Sequence, residues 1–186
     1  MLGRKQMRTW PVNEAMNTKQ RRFEALVAAL STDLYRYGLW LTGDPAVSED
    51  LVQESFLRAW RYLDDLKDEK SARAWLITIL RRENARRFER KQLEMSDYQE
   101  AQILDEHSPD SETQLSHLEL RRAMSQLAQD YREPLVLQVL FGYSGDEIAQ
   151  ILELNTNTVM TRLFRARNQL RDMLATDSPS SRRATE

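Results

Sequence analysis

The sequence predicts an all-α protein built from two small helical domains joined by a flexible acidic linker, with the second domain a helix-turn-helix. Three features carry that expectation. Apolar residues recur at helical spacing on both sides of the chain's middle. The middle, from Ser96 to His117, holds six acidic residues and no lysine or arginine, with "HSPDSET" breaking any regular period. The last amphipathic segment, Val159 to Arg171, has four arginines and no acidic residue. At 186 residues and 41% hydrophobic the chain has enough apolar material to bury a core. Its net charge of -2 becomes +4 once the six acidic residues of the middle are set aside, so the flanking blocks are mildly basic and suited to a polyanion.

Composition also excludes. There is no cysteine, which removes disulfides, thiolate zinc sites and cysteine nucleophiles. The two histidines, His107 and His117, lie in or beside the acidic stretch without the Glu-x-x-His spacing of a helical metal site. No metal, cofactor or catalytic constellation is therefore expected. Apolar runs such as "WLITIL" fall far short of the roughly 20 residues of a membrane span, and the beginning of the chain lacks an apolar signal core. A cytoplasmic location without membrane insertion is the expectation.

The N-terminal block, residues 18–95, reads as three helices. Phe23, Leu26, Val27, Leu30, Leu34 and Leu41 share one face of a helix that Gly43 ends. Asp44 then caps a second helix with Pro45 in its first turn, where the missing N–H costs nothing. A third begins near Ser71 with Trp75, Leu76, Ile79 and Leu80 inward and ends in Arg81, Arg82, Arg86, Arg87, Arg90 and Lys91. Arg82, Arg86 and Arg90 fall at i, i+4 and i+8, a cationic stripe of about 12 Å. With Trp60, Tyr62, Trp75 and Phe88 interleaved, that surface suits unstacked single-stranded bases. The other reading makes the aromatics core and the arginines a solvated face partnered by Glu83 and Glu89; it is the preferred one for Trp75 and not for the stripe.

Beyond the acidic stretch, Leu120, Met124 and Leu127 mark a helix, "REP" interrupts it, and Pro134 is expected to open a second, which Gly142 closes in the left-handed conformation. Ser144 and Glu147 form a capping box ahead of "DEIAQIL". In the last helix Val159, Leu163, Ala166, Leu170 and Leu174 face inward. Thr158, Thr161, Arg162, Arg165 and Asn168 or Gln169 face out. A capped short helix, a tight turn and a helix with an arginine-rich outer face is the pattern of a helix-turn-helix, whose second helix enters the major groove.

Taken in order, these segments resemble a bacterial RNA polymerase sigma factor of the extracytoplasmic-function group of the sigma-70 family, over about residues 20–174. "EDLVQESFLRAWR" resembles the helix that docks on the core polymerase, "ARAWLITILRRENARRFER" the segment that recognises and opens the -10 element, and "GYSGDEIAQILELNTNTVMTRLFRARNQLR" the helix-turn-helix that reads the -35 element. The resemblance implies domain 2 over 18–95, a linker over 96–116 and domain 4 over 117–175; residues 1–17, without a clear period, are expected to be a disordered extension and the polar stretch 176–186 a disordered tail.

It further implies the clamp of the largest polymerase subunit, the flap of the second largest, promoter DNA and an anti-sigma factor as partners. Asp50, Gln53, Glu54, Leu57 and Trp60 become candidates for the core contact, Leu57 and Trp60 being open between that role and hydrophobic core. Trp75, Arg82, Arg86, Arg87, Arg90 and Lys91 become candidates for the -10 strand, and Asn157, Thr158, Thr161, Arg162 and Arg165 for the -35 duplex. The chain departs from the family where it has Arg82 for a common asparagine, Glu153 for the glycine of the turn and Met160 for a lysine. A helix-turn-helix regulator that is no polymerase subunit is the alternative, and an all-helical enzyme a more distant one.

Overall fold

The computed structural model describes residues 12–94 and 120–177. Seven helices and no strand occur among them: α1 (Val12–Thr42), α2 (Pro45–Arg61), α3 (Ala72–Glu94), α4 (120–126), α5 (Gln129–Phe141), α6 (Gly145–Leu152) and α7 (Thr156–Asp177). None of the helices described is long and apolar enough to cross a membrane. The acidic segment 96–116 lies outside the described residues.

Local chemistry sets most boundaries. Gly43 takes φ 70° and stops α1, a conformation open to glycine without penalty. Asp44 is extended and its carboxylate accepts from the Val47 N–H at 3.1 Å, with Pro45 as the first residue of α2. Gly142 at φ 71° closes α5, donating its N–H to the Gln138 carbonyl. Ser144 and Glu147 form the reciprocal capping box at the start of α6.

Two expectations are corrected. α1 starts at Val12, so residues 12–17 are helical rather than part of a disordered extension. Good helix formers (Glu14, Ala15, Met16) propagate a helix already anchored downstream without needing an apolar stripe of their own. Pro134 lies inside α5 rather than at its start. It follows five helical residues, where its ring removes one hydrogen bond to the Asp130 carbonyl, and its full burial offsets that loss.

In the N-terminal unit α1, α2 and α3 bury Leu34, Leu63, Leu76, Ile77 and Leu80 almost completely. In the C-terminal unit Leu137, Ile148, Val159, Leu163 and Ala166 do the same. The two units then pack on each other through α1 with α5 and α3 with α6, and their apolar interiors join into one core. The contact is built on Tyr37, which sits one turn from Leu34 and Leu41 and is wholly buried. Its hydroxyl donates to Glu133 Oε1 at 2.5 Å, and Arg81 Nε donates to the same oxygen at 2.5 Å. Arg81 Nη1 also donates to the Ile151 carbonyl at 3.0 Å. An aromatic row extends the contact: Tyr37 meets Phe141 edge-on at 6.0 Å, and Phe141 stacks on Tyr143 at 6.4 Å.

Burial pushes the Tyr37 phenol well above its ordinary value of 10.0, and the neighbouring Glu133 carboxylate adds to the rise while Arg81 opposes it. The sign follows. A phenol held neutral in the folded state contributes stability in full below pH 10, and that contribution falls as pH rises past it because the exposed phenol ionises and the buried one does not. Alkaline titration of the six tyrosines by ultraviolet absorbance is expected to show Tyr37 ionising last, together with loss of the packing between the units. Tyr37→Phe should remove that late step.

Candidate nucleic-acid and partner interfaces

Three surfaces carry the candidate residues. On α2, Asp50, Gln53, Glu54 and Leu57 are all exposed and fall at spacings of three, four and seven, so they form one outward strip. Leu57 is 59% exposed, which removes it from the hydrophobic core. Trp60 is half-buried, standing edge-on to Phe23 at 5.1 Å with the Lys19 ammonium 5.5 Å from its ring centre. It closes one end of the strip and shares its surface with the core. An acidic-to-apolar gradient of this kind suits a docking face, with the carboxylates steering and Leu57 supplying burial.

The cationic stripe lies on α3. Arg82, Arg86, Arg87 and Arg90 are exposed, as is Phe88 at 51%, whereas Trp75 is half-buried against the core and is no open stacking platform. The side chain of Lys91 lies outside the described residues. Burial rules out core for Phe88 and supports it for Trp75, as the sequence argued for the latter.

Beneath the stripe sits Glu83, only 2% exposed. Its Oε1 accepts from Arg86 Nη1 at 2.5 Å, and Arg58 Nε of α2 lies 2.5 Å from the same oxygen in ion-pair contact. Its other oxygen and the Asn84 Oδ1 beside it are buried without a hydrogen-bond partner. Glu83 was legible only as a possible surface partner of the arginines. Its burial comes from the crossing of α2 over α3, which no spacing within α3 reveals. Arg81, read with the basic end of the helix, turns instead into the contact with Glu133.

The third surface is the helix-turn-helix of α6 and α7. The capping hydrogen bonds from Ser144 hold the Glu147 carboxyl below its ordinary value. The turn runs through Glu153, which takes the left-handed conformation at φ 56° where the residue is usually glycine. Its N–H reaches the Ala149 and Gln150 carbonyls. Asn155 Oδ1 accepts from the Asn157 N–H at 2.8 Å, and Thr156 Oγ1 donates to Asp146 at 3.0 Å, so α7 leaves the turn in a fixed direction. Asn157, Thr158, Thr161 and Arg165 are exposed along its first turns. Arg162 is half-buried and pairs with Asp130 of α5 at 3.0 Å. A guanidinium held this way is aimed before any ligand arrives, at the cost of breaking or sharing an ion pair on contact. Phe164 on the same helix is 64% exposed; like Met160, at 52%, it is an apolar residue outside the inward row.

The stripe and the turn meet. Arg82 Nη2 donates to Glu153 Oε1 at 2.5 Å, and this hydrogen bond is the leading reason the Glu153 carboxyl lies below its ordinary value. With side-chain exposures of 61% and 60% the pair is well solvated and contributes little to stability.

Comparison with known proteins follows the same division. The family profile of sigma-70 region 2 matches residues 26–94 and that of sigma-70 region 4 matches residues 117–170. The chain is 33% identical over 153 residues to an ECF RNA polymerase sigma factor, EcfG, of Rhodopseudomonas palustris, covering 81% of this chain and 84% of that protein. It is 34% identical over 142 residues to the ECF sigma factor SigL of Mycobacterium tuberculosis, covering 74% and 80%. Among solved structures it resembles the sigma factor RpoE in complex with the anti-sigma factor NepR from Bartonella quintana, at a TM-score of 0.69 and 25% identity over 85% of this chain and 99% of that one.

Removing Glu83 should cost stability as well as geometry. Glu83→Ala leaves Arg58 and Arg86 without their shared carboxylate; because both guanidiniums reach solvent, the expected loss is about 2 kcal/mol, below the 3–5 of a fully buried pair. Urea unfolding of the variant against the parent measures it, and Glu83→Gln should fall between the two.

Proposed function

The chain belongs to the extracytoplasmic-function group of sigma-70 family RNA polymerase sigma factors, and we propose that it directs promoter-specific initiation through the three surfaces just described. Family members supply promoter specificity to a polymerase that does the chemistry. On this reading α2 docks on the clamp of the largest core subunit through Asp50, Gln53, Glu54, Leu57 and Trp60. α3 holds the non-template strand of the -10 element with Arg82, Arg86, Arg87, Arg90 and Lys91, and Trp75 supports the helix from below. α7 reads the -35 duplex with Asn157, Thr158, Thr161, Arg162 and Arg165, the rest of its unit facing the flap of the second-largest subunit. The observation that carries the reading is the pairing of two different nucleic-acid surfaces on one chain: a long exposed arginine stripe suited to phosphates and unstacked bases, and a capped helix-turn-helix suited to a major groove.

Each surface acts by a different interaction. The stripe supplies charge to a strand whose bases must leave the stack, a cost of a few kcal/mol per extruded base that stacking and phosphate contacts offset. Exposed Phe88 is the ring nearest to hand for that stacking. The recognition helix supplies hydrogen bonds to base edges, each bidentate arginine–guanine contact being worth about 1–3 kcal/mol of discrimination. No ATP or other cofactor enters either step. The bacterial RpoE solved with its anti-sigma factor motivates one more partner, and we infer that an anti-sigma factor covers these surfaces in the resting cell. The cytoplasm is the site of action that follows.

A DNA-binding regulator that is no polymerase subunit would need neither the α2 strip nor the α3 stripe. In reconstituted holoenzyme, Arg162→Ala is expected to weaken -35-dependent initiation by about 1–3 kcal/mol at one base position, read from a panel of promoter variants. Equal loss on every variant would give Arg162 a phosphate contact instead. Replacing Arg82 and Arg86 together by alanine should leave closed-complex formation near normal and reduce permanganate reactivity across the -10 region; full reactivity would remove the stripe from strand opening.

A further inference from the structure

We propose that Glu83 is a positioning residue for strand opening: its buried carboxylate sets the direction of the Arg86 guanidinium before the unpaired strand arrives. The proposal rests on the strand-holding role given to α3 above, and it assigns the aim of that helix to a side chain inside the core.

Charge at the crossing of α2 and α3 is arranged for aim. Glu83 is 2% exposed and stands one helical turn before Arg86, whose Nη1 donates to Glu83 Oε1 at 2.5 Å. Arg58 Nε reaches the same oxygen from α2. One carboxylate thus faces two guanidiniums, and the group as a whole keeps one positive charge. Arg58 balances the carboxylate, so Arg86 retains its attraction for a polyanion while its direction is fixed. A guanidinium carries five N–H donors in a rigid plane. Arg86 commits one of them to Glu83, and with its side chain 44% exposed the rest face outward to phosphate oxygens. A long side chain loses rotamer freedom when it binds, and Arg86 has lost part of it beforehand.

Stability does not account for this arrangement. Arg58 Nε, Glu83 Oε2 and the Oδ1 of neighbouring Asn84 are buried without a hydrogen-bond partner, three of the four such side-chain atoms among the described residues. Each unmet polar atom in a core costs free energy. Apolar side chains in place of a buried ion pair often serve folding as well or better. A local arrangement that is poor for folding and that ends on a member of the cationic stripe is the mark of a site kept for function.

The test uses holoenzyme assembled from the full chain and saturating core polymerase on a promoter that the parent transcribes. Opening is read from permanganate reactivity across the -10 region, with urea midpoints recorded alongside. The sign of the effect discriminates. Charge alone predicts that Glu83→Gln, which removes a negative charge near the strand, strengthens opening; the proposal predicts opening about three- to tenfold weaker, the penalty for ordering one long side chain on contact. Arg58→Met combined with Glu83→Met leaves the net charge unchanged and fills the crossing with apolar atoms. It should fold about as stably as the parent and open as poorly as Glu83→Gln. In an Arg86→Ala background the effect of Glu83→Gln should shrink to within about twofold, whereas in an Arg90→Ala background it should persist in full, since Arg90 is exposed about two turns beyond Glu83. Equal loss in both backgrounds would show a general loosening of α3 and overturn the proposal, as would unchanged or stronger opening in Glu83→Gln or in the double methionine variant. Normal opening by Arg86→Ala alone would bring down the strand role of Arg86 and this proposal with it.

Discussion

One oxygen atom organises the way the two halves of this protein meet. Glu133 Oε1 takes a hydrogen bond from a phenol and another from a guanidinium, both from the opposite unit, in a place from which water is nearly excluded. A carboxylate buried alone would be costly enough to force the units apart or take up a proton. Buried with Arg81 it is neutralised, and with Tyr37 it gains a second donor, so the packing of Phe141 on Tyr37 can follow. Such an arrangement is unforgiving. Removing one partner leaves the others buried and uncompensated, which is why breaking such a group costs more than the pair itself contributes.

A similar device recurs inside the N-terminal unit. Glu83 gathers Arg58 from α2 and Arg86 from the cationic stripe of α3 on one oxygen. α2 and α3 are thus cross-linked by charge where they cross. Arg82, one residue before Glu83, points away from that hub and is left free to exchange partners. The stripe is therefore mixed in character: Arg86 is aimed by a buried anchor, Arg82 is lent to the turn of the other unit, and Arg87 and Arg90 stand in solvent.

How much of this could be read from the chain depended on the sequence distance over which each choice is made. Gly43, Asp44, Gly142 and the Ser144–Glu147 box announce helix ends because each acts within four residues of itself. The inward rows of α3 and α7 are equally plain, since burial follows the helical period, and the resemblance to sigma factors carried the three surfaces with it. What stayed hidden is non-local. Tyr37 and Glu133 are 96 residues apart and Arg81 and Glu133 are 52 apart, so nothing near any of them marks the contact. Pro134 invited a helix start that tertiary burial overrode. Glu153 was marked by the resemblance as standing where the turn has glycine, but its pairing with Arg82, 71 residues away, has no signal near either residue.

The central claim is that two dissimilar surfaces on this chain together direct a polymerase to a promoter. Transcription in vitro with the purified chain, sigma-free bacterial core polymerase and a random promoter library tests it most directly, the 5′ ends of the transcripts being sequenced. Chain-dependent starts lying downstream of one shared motif in two parts, at a fixed separation, are the predicted result. Starts that need only the -35-like part would contradict the role of the α3 stripe. No chain-dependent starts, from a core that responds to a control sigma factor, would contradict the account as a whole.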